Sequence, residues 1–254
     1  MKWAKALLVL TPIIILGTWE IFFFFPHAVY FCLLFNILLI GFTIFYFYKQ
    51  SHNDKKLLFN FLIFPIIFQV ALLCYSLVSA NYFFVHLLFV VNFLLLYFYL
   101  RYCFLFFLHP DLYQDRSVEN ISAFGNLLLF FLLTSSLYGF ESFLNIPVWI
   151  LSLGVLITTF LVVYQVFWAN HINTAKHFFY ICLFCLVMIE LFWSLLFLPF
   201  NYNVSGAILA FCYYIIIGIG RHYLRDRLNR RLIKLYLLVG FSSIFIIILT
   251  TRWM

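Results

Sequence analysis

The stretch Leu127-Leu128-Leu129-Phe130-Phe131-Leu132-Leu133, with Ile21-Phe22-Phe23-Phe24-Phe25 as an earlier counterpart, decides the fold. A membrane barrel strand alternates polar and apolar residues over about ten positions, whereas these runs are apolar in every direction around the chain. A helix tolerates such a run because its backbone polar groups are paired within the segment itself. The reading is therefore helical, with hydrocarbon as the surroundings.

The rest of the chain agrees. Of 254 residues 67% are hydrophobic and 9% charged, against about 45–50% and about 25% in an ordinary soluble domain. Phenylalanine alone supplies 37 residues, and the mean hydropathy is +1.11. This balance excludes a soluble globular protein. A spanning helix needs about 20 apolar residues. Runs of that length are centred near residues 6–25, 28–48, 57–79, 83–106, 122–141, 147–169, 177–198, 204–220 and 235–251. The expectation is an all-α fold, a polytopic transmembrane helical bundle of about nine helices. The longest break, residues 109–121, is too short for a domain. Residues 1–254 thus read as a single integral membrane domain with no soluble domain, and any function belongs within the membrane or at its surfaces. Met1-Lys2-Trp3-Ala4-Lys5 and the apolar run after it imitate a signal peptide. That run leads into Thr18-Trp19-Glu20 and more phenylalanine rather than a small-residue cleavage site, so it is read as a retained first helix.

Lys and Arg set the orientation, because short loops rich in them stay cytoplasmic. With the N-terminus inside, the inner segments carry 14 of the 15 basic residues, and only Arg252 is left outside. The outer turns near residues 26–27, 79–82, 141–146 and 200–203 carry none. The chain is expected to lie N-in and C-out in the cell (plasma or inner) membrane, with helices 1–2, 3–4, 5–6 and 7–8 as hairpins and helix 9 appended.

An ionisable group inside an apolar span is costly and is a functional candidate by default. Glu190 is the sharpest, within the apolar run 182–198 and roughly 13 Å along the helix from the Pro199 turn. Buried there, its carboxyl would stay neutral and donate one hydrogen bond. It reads as a proton or cation site, or as plain interhelical glue. Glu20 and His86 are further intramembrane candidates, near the outer helix ends with His27 and Glu141. With Asn36, Gln69, Asn92 and Gln165 they could line an outward-opening polar crevice, with Arg252 as basic partner, or be scattered interfacial residues.

The basic segment around Arg221, Arg225, Arg227, Arg230 and Arg231 has pairs at i, i+4 spacing. It would contact anionic lipid headgroups on the cytoplasmic side, or serve only as an inside-holding loop. No folded module accompanies the charge, so no nucleic acid is expected. The cysteines at 32, 74, 103, 182, 185 and 212 all fall in predicted spans, where cysteine behaves as a small hydrophobe. Cys182 and Cys185 have C-x-x-C spacing, but nothing nearby completes a metal site. No metal and no cofactor is expected. Phosphate-loop, nucleophile-elbow, zincin and dinucleotide motifs are absent. Asp111 and Asp115, with Glu119, form a weak catalytic candidate at four-residue spacing suited to metal-assisted headgroup chemistry, and a solvated loop explains them equally.

Only nine glycines occur. Close helix approach uses small residues, and two modest small-x-x-x-small pairs appear, Ser135 to Gly139 and Gly206 to Ala210. Few Gly or Pro residues are placed to break helices at mid-membrane, which counts against a transporter.

At Glu190-Leu191-Phe192-Trp193 through Leu198-Pro199, then Tyr213-Tyr214 and Arg221-His222-Tyr223-Leu224, the chain resembles uncharacterised multi-pass membrane proteins of candidate-phylum bacteria. The resemblance covers mainly helices 7–9 and implies no activity. Three readings follow. The first is a membrane-embedded scaffold or complex subunit with a membrane-protein partner. The second is a secondary transporter or proton-coupled permease using Glu190. The third is a lipid-modifying membrane enzyme using the Asp111 and Asp115 loop.

Overall fold

The computed structural model describes residues 2–51, 55–110, 117–170 and 172–251; of residues 2, 55–57 and 117–123 the backbone alone is described. Among the described residues there are nine α-helices and no strand: α1 (Lys2–Phe24), α2 (Val29–Lys49), α3 (Lys55–Val78), α4 (Tyr82–Leu108), α5 (Ser117–Leu144), α6 (Val148–Ala169), α7 (Phe178–Leu196), α8 (Tyr202–Tyr223) and α9 (Arg230–Thr250). A short 3-10 turn, Pro26–Ala28, joins α1 to α2. All nine are long and apolar enough to cross a membrane; the shortest such span is 19 residues and the longest 27, about 28 to 40 Å of helix.

Local signals explain the ends. Asn81, Asn201 and Asn229 cap α4, α8 and α9, their side-chain oxygens accepting from Phe84, Asn203 and Arg231 backbone N–H groups. After α5 the chain turns at Asn145, whose φ of 50° is left-handed. There Ile146 N–H returns to the Phe140 carbonyl and Asn145 N–H to that of Glu141, a closure that satisfies the last carbonyls. Asp226 plays the matching part after α8, with φ 54°.

Two helices run on past their apolar stretches. α9 starts at Arg230 rather than near residue 235, because Asn229 caps it and long basic stems can cover apolar surface while their heads reach water. α5 starts at Ser117 rather than near 122. The i, i+4 pairing expected along residues 221–231 does not form a single helical face. α8 ends at Tyr223, and the turn through Asp226 separates Arg221 from Arg230 and Arg231.

The chain forms two compact units, Met1–Gly125 and Asn126–Met254, with the boundary inside α5. In the first, α1 packs against α2 and α4, and α2 against α3. Its core is aromatic, with Trp19 stacked on Phe89 (ring centroids 5.6 Å apart) and Phe64 against Tyr99 (5.2 Å). In the second, α6 packs on α7, α7 on α8, and α8 on α9. Phe130 of α5 stacks on Tyr213 of α8 at 4.6 Å, and Tyr138 of α5 lies against Phe192 of α7 at 4.6 Å. Among the described glycines, the closest approach joins the two small-residue motifs. A Cβ on Gly206 would fall 2.7 Å from Ser135 Cα, so only glycine fits there.

Candidate functional site

Polar groups in the first unit are drawn together in the core. Trp19 Nε1 donates to Gln69 Oε1 at 2.8 Å, and Gln69 Nε2 donates to Asn92 Oδ1 at 3.0 Å, linking α1, α3 and α4. All three side chains are fully buried. Thr18 donates to Asn36 Oδ1 at 2.6 Å, and Thr43, which gives its own proton to the Leu39 carbonyl, lies 2.9 Å from the Thr11 hydroxyl. Asn36, Gln69 and Asn92 therefore do not line an open crevice; each is buried with its amide oxygen paired, while among the described residues the Asn36 and Asn92 amide nitrogens find no partner. Beside Trp19, Glu20 meets His86, with Nδ1 3.0 Å from Oε2. The pair is about one-third exposed on each side, and the Phe23 ring lies 4.4 Å from the imidazole. Sequence reasoning named both residues and could not pair them. His27 is exposed.

Glu141 and Glu190 belong to the second unit. Glu190 is not buried in helix packing; it stands exposed on the surface of α7, and among the described residues its carboxyl has no hydrogen-bond or ion-pair partner. The expected single hydrogen bond is therefore absent among the described residues, because the residue falls on an exposed face of α7. It edges an open groove of about 360 Å³ between α6 and α7. Leu156 and Phe160 form one wall, and Cys182, Leu186 and Ile189 the other. The helices are tied above the groove by Trp193 Nε1 donating to Ser152 Oγ at 2.6 Å. Glu141 is half-buried and carries a long contact from Ser142 Oγ, 3.5 Å. Gln165 and Thr159 of α6 are buried, and among the described residues neither the Gln165 amide nor the Thr159 hydroxyl finds a hydrogen-bond partner.

The cysteines at all six positions are free; Cys185 is buried and Cys182 exposed in the groove. Among the described residues no three His, Cys, Asp or Glu side chains converge to hold a metal ion. Asp111, Asp115 and Arg116, the Glu119 side chain and Arg252 lie outside the described residues.

The basic segment divides in two. Arg221 Nη2 donates to the Tyr236 hydroxyl at 2.9 Å, and Arg225 Nε to the Asn170 carbonyl at 2.8 Å, so both guanidinium groups pin α8 to its neighbours. Tyr236 also packs over Gly218, where a Cβ would collide with the ring. Arg227, Arg230 and Arg231, with Lys234, are exposed. Among the described residues none of these four side chains makes a hydrogen bond or ion pair.

The family model for DUF5656, described as a protein of unknown function, matches residues 28–250. The chain belongs to DUF5656. The match spans α2 to α9 and includes His86, Glu190 and the whole basic hairpin, while Glu20 and Trp19 precede it. No curated protein and no solved structure matches this DUF5656 chain.

Sequence reasoning missed Tyr99 and Tyr236, two tyrosines among 17 that nothing in the linear pattern separates from the rest. Both act through hydroxyl groups that reach a neighbouring helix. The small-residue motifs were legible, and the structure joins Ser135 of one to Gly206 of the other.

Proposed function

We propose that this DUF5656 protein is a membrane-embedded scaffold or subunit of a membrane complex, a single integral domain lying N-in and C-out in the bacterial cell membrane. One observation carries the reading, the Trp19–Gln69–Asn92 chain through the core of the first unit. A proton pathway needs groups that take up and release protons. An indole only donates, and amides do not titrate near neutral pH. The chain therefore locks α1, α3 and α4 in one register and relays no proton. The exposed Arg227, Arg230, Arg231 and Lys234 suit anionic headgroups on the cytoplasmic side. Native mass spectrometry of the protein extracted in mild detergent from its own membrane tests this. A stoichiometric membrane-protein partner is expected, and a lone chain carrying a bound solute overturns it. Reporter fusions at residues 50, 80, 145 and 200 test the orientation.

A second reading, a proton-coupled permease, is favoured by the exposed and unpaired Glu190. It requires that Glu190→Gln abolish solute uptake in proteoliposomes while leaving insertion unchanged.

A further inference from the structure

The α6–α7 groove combines an apolar trough with one carboxyl that no described residue neutralises. Cys182, Leu186, Ile189 and Glu190 stand at i, i+4, i+7 and i+8 on α7, a single helical face about 12 Å long. Glu190 lies six residues before the end of α7 at Leu196, about 9 Å in from that end. An ionised carboxyl at such depth is tolerated only with a partner.

The chemistry of the groove narrows what that partner is. An anion is repelled by Glu190. A metal ion lacks ligands, since no three donor side chains converge among the described residues. A second transmembrane helix approaches closely through small residues, yet Leu156, Phe160, Leu186 and Ile189 line these walls and would hold a second backbone away. A flexible aliphatic chain fits between such side chains. The groove, at about 360 Å³, is within the range of about 300–1,000 Å³ common for small-molecule sites.

We propose that the α6–α7 groove binds an amphiphilic cation, its ammonium paired with the Glu190 carboxylate and its aliphatic tail lying along Ile189, Leu186 and Cys182 between the α6 and α7 walls. The proposal stands independently of the scaffold reading, which rests on the first unit.

The test uses the full chain in nanodiscs of a zwitterionic lipid, titrated with dodecylammonium and, in parallel, with dodecanol, which has the same tail and no charge. Native mass spectrometry counts the bound molecules. One saturable dodecylammonium per chain is expected, with dodecanol at least tenfold weaker. Glu190→Gln should weaken the amine at least tenfold, and Glu190→Asp should recover part of that loss. Leu186→Trp, which fills the trough and keeps the carboxyl, should block binding. All three variants are checked for unchanged elution and helix content. Equal binding of dodecanol, an unchanged affinity in Glu190→Gln, or no saturable binding to the folded wild type overturns the proposal. So does a co-purified subunit that crosslinks to Cys182 and excludes the amine, which would assign the groove to helix docking.

Discussion

The Tyr99 hydroxyl of α4 donates to the Phe61 carbonyl of α3 across 2.7 Å, inside the core of the first unit. Phe61 lies four residues before Pro65, and Pro65 is inside α3. Proline has no N–H, so the carbonyl four residues back loses its helical donor. Tyr99 supplies the replacement from the next helix, and α3 passes through its proline unbroken.

Tyr99→Phe removes that donor from a buried carbonyl, a loss of about 1–3 kcal/mol. Pro65→Ala restores the helical N–H. Thermal or denaturant unfolding in detergent should therefore show Tyr99→Phe costing clearly less in the Pro65→Ala background than alone. Equal costs in both backgrounds would separate the tyrosine from the proline.

Gln69 is the middle of a three-residue chain, so Gln69→Leu strands both the Trp19 indole N–H and the Asn92 amide. It should destabilise by more than Trp19→Phe changes the same bond alone, on the order of 2–4 kcal/mol for two orphaned buried groups. A double-mutant cycle between Gln69 and Asn92 should give a coupling well above the 0.3–0.5 kcal/mol or so seen for independent sites. Additive losses would show that the chain does not act as a unit.

Gly206→Ala places a methyl against the backbone of Ser135, which cannot move without shifting α5. A loss of about 1–3 kcal/mol is expected from overpacking. Ser135→Ala should not rescue it, because Ser135 backbone atoms lie as close as 2.7 Å to the added carbon. Rescue by Ser135→Ala would place the clash at the hydroxyl alone.

Substitution within the basic hairpin should separate lipid contact from folding. Replacing Arg227, Arg230 and Arg231 with Gln leaves every described helix contact intact and removes three surface charges, which lowers preference for anionic lipid on the order of a hundredfold. Spin-labelled phosphatidylglycerol measured against phosphatidylcholine reports that preference. Arg221→Gln should instead lower thermal stability, through the lost Tyr236 bond, with little change in lipid preference. The reverse assignment would refute the division.

Glu20→Gln should be nearly silent. The pair with His86 is about one-third exposed, and ion pairs in contact with solvent contribute about 0–1 kcal/mol. Unfolding of Glu20→Gln and His86→Gln singly and together should show a coupling no larger than that.

The sequence alone determined that the protein is helical, where each helix falls, and which small residues allow close approach. Those are properties of local composition: the length of an apolar run and the spacing of small residues. It also marked Glu20, His86, Glu190 and the arginines as residues worth explaining, because charge in an apolar context is visible in one dimension. Which of them meet was decided by tertiary structure. Helices that are apolar on every side carry no stripe to say which face looks inward, so nothing in the pattern told Glu190, turned out into a groove, from Gln69, turned in to Trp19 and Asn92. Nor could spacing reveal that Arg221 is spent on Tyr236 while Arg227 is left exposed. Partners across helices are fixed by how the helices rotate and pack, and that information exists only once they are side by side.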